Sequence, residues 1–130
     1  MIVTDASIIV DVLLRMPGAE TLDARLFDGN QSLHAPHLID VEVAHVLRRY
    51  ALRGEITDAR GKSALALLQR FPLTRHPHEP LLNRMWALRQ NVTAYDAAYV
   101  ALAEGLSATL YTRDAALASS SGHQARIERL

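Results

Sequence analysis

The chain contains no cysteine, which excludes disulfide staples, thiolate metal sites and cysteine nucleophiles. It has a single lysine, Lys62, between Gly61 and Ser63. No G-x-x-x-x-G-K-[ST] sequence exists, so a phosphate-cradling P-loop is absent. Aromatic residues are few, at 5%, too few to suggest the stacking platforms of single-strand binders. No apolar run approaches the ~18 residues of a membrane span, and no basic segment precedes the opening Met1-Ile2-Val3-Thr4-Asp5, so no secretory signal is expected. Nor is there an excess of charge: 14 basic residues balance 14 acidic ones, which rules out a globally basic nucleic-acid binder. A soluble, cytoplasmic protein is the expectation.

What is present is an ordinary globular composition, 49% apolar and 22% charged over 130 residues. That length suits one domain, residues 1–130, burying roughly two-thirds of the surface its unfolded chain exposes. Charge is unevenly spread. Residues 1–42 carry seven acids and two arginines, residues 43–75 carry seven bases and two acids, and the remainder balances. An acidic section followed by a basic one suits a metal site beside an anion-binding surface, or simply solvated helix faces.

Strand and helix signals alternate along the chain. Ile2–Thr4 is a β-branched run that reads as a strand, and Ser7–Arg15 reads as a helix ending before Pro17-Gly18. A second helix over Ala19–Asp28, a strand over Ser32–Ala35 punctuated by Pro36, and a helix over Leu38–Leu52 follow from apolar spacing. Thr57–Phe71 reads as a helix, Leu73–Arg75 as a brief strand, and Leu81–Arg89 and Thr93–Glu104 as helices, the last terminated by Gly105. Thr109–Thr112 is a strand, Asp114–Ser120 a short helix, and Ile127 sits in a final strand. This alternation predicts an α/β fold: a small parallel sheet sandwiched by helices in three layers.

In open parallel sheets, ligands bind beyond the carboxyl ends of the strands. Asp5 follows the first strand, Asp114 follows the Thr109–Thr112 strand, Asp96 opens the helix leading into that strand, and Glu42 lies near the start of the helix after Pro36. Each aspartate has a simpler reading. Asp5 and Asp114 can cap the helices that follow them, and Thr93-Ala94-Tyr95-Asp96 looks like a capping box. Glu42 is harder to explain so, because it interrupts the apolar stretch Leu38-Ile39-Asp40-Val41-Glu42-Val43-Ala44, where an unpaired glutamate is costly. Four carboxylates meeting at one edge repel, so some must protonate or bind a cation. All-oxygen ligands point to Mg²⁺ or Mn²⁺. Two such ions about 4 Å apart can stabilise both oxygens of a phosphodiester undergoing attack by metal-activated water.

The same residues carry a family resemblance. Val3-Thr4-Asp5-Ala6-Ser7 resembles the opening D-x-S motif of PIN domains. The run Pro36–Leu47, a proline and leucine ahead of Glu42, resembles their second motif, Tyr95–Ala103 their third, and Leu110–Leu117, with T-x-D-x-x-L from Thr112, their last. The four occur in order across nearly the whole chain, and the compact length is similar to that of VapC toxins of toxin–antitoxin pairs. The resemblance implies a PIN-like fold and a Mg²⁺- or Mn²⁺-dependent endoribonuclease cutting RNA, usually dimeric and inhibited by a cognate VapB-type antitoxin. It implies that Asp5, Glu42, Asp96 and Asp114 form the catalytic metal site, supported by Ser7 and Thr112. One position departs: the family often has asparagine three residues after the glutamate, where this chain has His45, an imidazole that cannot offer an amide's paired donor and acceptor.

Arg48 and Arg49, with Arg53, Arg60 and Lys62, either contact RNA phosphates or form the solvated faces of two helices, and Arg113 can reach a phosphate or pair with an acid. The histidines flanking Pro36 and Pro77 lack zinc-helix spacing and read as solvated loop residues. The apolar stripes along Leu38–Leu52 and Ala64–Phe71 read as core, with part available to an amphipathic partner. A phosphotransfer receiver domain needs a lysine at a late strand end, which is absent, and a D-x-D phosphatase needs an aspartate where Ser7 stands. The remaining alternative is a PIN-fold binding module without activity, acting through its antitoxin- or RNA-binding surface; the four intact acids argue against it.

Overall fold

Strand β1 (Ile2–Thr4) is entirely buried, as expected of an apolar, β-branched strand at the centre of a parallel sheet covered on both faces. The computed structural model describes all residues 1–130. Around β1 lie β2 (Leu33–Pro36), β3 (Leu73–His76), β4 (Thr109–Thr112) and β5 (Arg126–Arg129), in the order β3-β2-β1-β4-β5. Every pairing is parallel. The chain lays down β1, β2 and β3 in one direction, then crosses back to β4 and β5. With right-handed crossovers, this reversal puts the first set of helices on one face and the second set on the other.

The helices sort accordingly. On one face α1 (Ala6–Leu13) packs against α2 (Ala19–Leu26), α3 (Leu38–Leu52) and α4 (Asp58–Arg70). On the other, a 3-10 turn (Glu79–Leu81) leads into α5 (Leu82–Ala87), which packs on α6 (Ala94–Leu106). Helix α6 lies against β1, β2 and β4. A one-turn helix, α7 (Ala115–Ala118), joins β4 to β5. Tyr99, Ile8, Ile9, Leu14 and Leu26 are among the largest fully buried side chains of a continuous apolar core.

The three-layer α/β architecture agrees with the sequence reading, with differences at element ends. Strand β2 takes in Pro36 as its last residue, and the chain pairs onward through the His37 N–H to the His76 carbonyl at 2.8 Å. Helix α1 stops at Leu13, two residues early, because Arg15 turns left-handed at φ 52°. Helix α5 is shorter than expected, its first turn being the 3-10 segment.

Gly105 does not terminate α6. The helix runs to Leu106, and Ser107 adopts the left-handed cap conformation at φ 52°, a position that favours glycine. A Cβ on Gly105 would meet nothing within 4 Å. Gly105→Ala is therefore expected to stabilise the fold by roughly 0.5–1 kcal/mol through helix propensity, and Ser107→Gly to stabilise it by a similar few tenths to 1 kcal/mol. Urea unfolding of both variants checks this; a Gly105→Ala protein less stable than wild type would place the cap at Gly105 after all.

Candidate active site

The order β3-β2-β1-β4-β5 reverses between β1 and β4. Chains diverge above that seam, opening the crevice where α/β proteins place ligands. Asp5 leaves the end of β1 and Asp114 the end of β4, so the topology alone sets these two acids side by side. Glu42 reaches the seam from α3 and Asp96 from α6, one from each helical layer.

Asp5 is only 8% exposed. Its Oδ1 accepts from the Ser7 N–H at 3.0 Å, the Ile8 N–H at 3.3 Å and the Ser7 hydroxyl at 2.5 Å. Its Oδ2 accepts from the Thr112 hydroxyl at 2.5 Å. Burial pushes the Asp5 carboxyl above its ordinary pKa, while the Ser7 and Thr112 bonds pull it back. Ser7 in turn accepts from the Arg113 N–H at 2.9 Å, and Thr112 from the Asp114 N–H at 2.9 Å. Together these bonds tie the start of α1 to the end of β4. Asp114 caps α7, its Oδ1 accepting from Ala116 and Leu117. The capping reading and the site reading thus both describe Asp5 and Asp114. Thr93 also caps, accepting from the Asp96 N–H at 3.1 Å, which leaves the Asp96 carboxylate itself free for the seam.

Asp96 is pushed up to about 6, first by burial and then by the charges of Asp114, Asp5 and Glu42. The four acids therefore feel one another. Glu42 is raised by burial and by Asp5, and lowered in part by the Tyr99 hydroxyl, which donates to its Oε1 at 2.6 Å. Burial and the neighbouring carboxylates hold Tyr99 neutral, far above a phenol's usual range. The sequence reading missed Tyr99. The available signal was a tyrosine inside the small apolar run Ala97-Ala98-Tyr99-Val100-Ala101, because a buried phenol must find a partner for its hydroxyl.

The chain's ion pairs are made by Asp23, Glu128, Asp40, Glu104 and Asp11. None neutralises the four acids at the seam. As they stand, no three of those side chains are gathered tightly enough to hold an ion, as expected of like charges facing one another without a counter-charge. An all-carboxylate donor set with this unrelieved repulsion fits a hard divalent cation.

The supporting residues divide. Ser7 and Thr112 bond Asp5 as expected. His45 is exposed and makes no hydrogen bond to the acids; it lines a hollow beside Glu42 together with Arg49. Arg48 instead lines the cleft between α3 and α4, as do Asp58 and Lys62. Arg113 is held by Asp11 at 2.8 Å, an acid outside the seam. Of the histidines flanking the prolines, only His37 is an exposed turn residue; the other three are tied into the fold. His34 lies buried in β2, with its Nδ1 2.9 Å from His76 Nε2 and its Nε2 2.8 Å from the Ser32 hydroxyl. His78 Nε2 accepts from the Leu38 N–H at 2.9 Å.

The PIN domain family model matches residues 2–121, and the chain belongs to that family. Within it, the chain is 42% identical over 127 residues to ribonuclease VapC9 of Mycobacterium tuberculosis, covering 98% of this chain and 96% of the relative. It is 41% identical over 128 residues to ribonuclease VapC12 of the same species, covering 98% of each. It is therefore a member of the VapC group of PIN domains. Among solved structures, VapBC2 from Rickettsia felis bound to a DNA fragment from its promoter superposes with a TM-score of 0.73 at 14% identity, over 99% of this chain and 98% of that one. No helix is long and apolar enough to cross a membrane.

Asp96 sits at about 6 against an ordinary value of 3.8, so the folded chain holds its proton more tightly than the unfolded chain. The contribution of Asp96 to the stability of the metal-free protein then falls as pH rises from 3.8 through about 6 and stays lowered above that. Asp96→Asn removes the repulsion and the penalty with it. Its melting temperature is expected to exceed that of wild type above pH 6 and to match it below pH 3.8 in chelator. A variant less stable than wild type at neutral pH would show that Asp96 is not under strain from its neighbours.

Proposed function

We propose that the chain is the toxin of a VapB–VapC pair, an endoribonuclease that cuts RNA phosphodiesters with Mg²⁺ or Mn²⁺. One observation carries the reading: four carboxylates face one another at the sheet's switch point, where burial and then their mutual repulsion push Asp96 up to about 6, and none of them is paired with one of the chain's own cations. The similarity to VapC ribonucleases over nearly the full chain supports it, as does the fold shared with a VapBC assembly.

Asp5, Glu42, Asp96 and Asp114 are the residues that would hold the ion. When bound, the ion supplies charge neutralisation at the phosphate and a water acidified toward neutral pH. The rest is done by the chain. The Ser7 and Thr112 hydroxyls fix the Asp5 carboxylate, so one ligand is placed before any ion arrives. The Tyr99 hydroxyl occupies Glu42 Oε1 and leaves Oε2 directed by that bond. Arg49 stands beside Glu42 as the arginine best placed for a substrate phosphate. Arg48 faces the cleft between α3 and α4 and Arg113 is already paired with Asp11, so neither is assigned that role. We further propose that residues 1–130 act as one unit in the cytoplasm, as a homodimer or in a larger assembly, with the antitoxin seated over the apolar surface of α3 and α4.

Two measurements test this. Millimolar Mn²⁺ should raise the melting temperature of wild type, by about 2.7 kcal/mol of stabilisation at a hundredfold excess over Kd, and should leave Asp96→Asn unmoved. Asp96→Asn suits the purpose because Asp96, unlike Asp5 and Asp114, caps no helix. In a bacterial host, inducing wild type should create discrete new RNA 5′ ends that Asp96→Asn does not, and coexpression with the cognate antitoxin should abolish them. Identical end maps from two soluble, folded proteins would remove the nuclease and leave a binding module.

A further inference from the structure

We propose that the hollow between α3 and the first turn of α6 is a nucleobase subsite, which takes one unstacked base of the RNA next to the scissile phosphate, with Tyr95 as its stacking face. The proposal rests on the ribonuclease reading and adds what the substrate must present.

The hollow has a volume of about 550 Å³, and its walls include Val41, Glu42, His45, Val46, Arg49 and Tyr95. Three observations identify the occupant. Glu42 is a wall of the hollow and also a member of the acid cluster, so whatever fills the hollow touches the site. Tyr95 immediately precedes Asp96 and is 64% exposed. Elsewhere in the chain Arg25 covers Tyr111 and Arg89 covers Trp86, whereas no cation or aromatic ring covers Tyr95. The lining is apolar through Ala6, Leu38, Val41 and Val46, and carries a cation in Arg49. A flat apolar ring with a phosphate attached matches those features: the base stacks on Tyr95 beside the apolar wall and its phosphate meets Arg49. His45, exposed in the same wall, offers one donor or acceptor to the base edge. Sequence-specific RNA recognition commonly depends on splayed bases of this kind.

The test uses the full chain with Mn²⁺ and a pool of short random-sequence single-stranded RNAs. Wild type should show a base preference at one position flanking the cut. Tyr95→Ala should flatten that preference and lower kcat/KM about tenfold, with Tyr95→Phe within about twofold of wild type. A well-cut RNA carrying an abasic site at that position should lose the same factor with wild type and nothing further with Tyr95→Ala. That arm needs only the unmutated protein, so a Tyr95→Ala chain that fails to fold leaves it standing. If the Tyr95→Ala and abasic losses multiply, or Tyr95→Ala cuts like wild type, the subsite is overturned while the nuclease survives. If light scattering shows Tyr95→Ala splitting a dimer, the occupant is a second copy and the proposal falls. A wild type that binds Mn²⁺ yet cuts no RNA in the pool or the host removes the ribonuclease reading, and the subsite with it.

Discussion

The Asp5 carboxylate is the fixed point of the molecule. It is nearly buried and held by four hydrogen bonds from three residues. Burying a carboxylate without partners is costly, so these donors are a condition of the fold. The bonds also carry structure outward. Through Ser7 they start α1, and through Thr112 they lock β4 alongside β1 at the pairing of Thr4 with Tyr111. Without Asp5 the seam between the two halves of the sheet loses its central tie.

The Tyr99–Glu42 bond serves the same seam from the other direction. It joins α6 to α3, the helical layers on opposite sides of the sheet, over the strand ends. Glu42 is thus aimed by a residue from the far layer, and the acid cluster depends on both layers docking correctly. Only a chain whose two halves have both folded presents all four carboxylates together. The cluster is therefore a product of tertiary structure to an unusual degree, although each acid sits within or beside a local element.

Much of this was legible in the sequence, and for physical reasons. The β-branched Ile2-Val3-Thr4 and the apolar periodicity of α3 mark their elements whatever surrounds them. Acids directly after strands point to the carboxyl edge once the sheet is parallel. What escaped depended on distance along the chain. Tyr99 meets Glu42 across 57 residues, Arg113 pairs with Asp11 across 102, and His34 meets His76 across 42. No spacing rule reports such encounters. Gly105 misled for a different reason: glycine usually marks a helix end, but the packing of α6 carried the helix past it and left Ser107 to take the left-handed turn. The scarcity of aromatic residues argued against base stacking. It counted rings without weighing where one of them stood, next to Asp96 and uncovered.

Asp5 and Asp114 each hold a helix as well as a place at the seam, and that double duty shapes how the chain can change over evolutionary time. A lineage released from the need to cut RNA would still be penalised for losing either acid, since α1 or α7 would fray. Glu42 has a partial tie of the same kind, because the buried Tyr99 hydroxyl would lose its acceptor. Asp96 has none, and it even costs the metal-free fold stability. Change at the seam would begin at Asp96. Among descendants of such a protein, Asp96 is the first of the four acids expected to be replaced, and Asp5 the one its helix would keep longest.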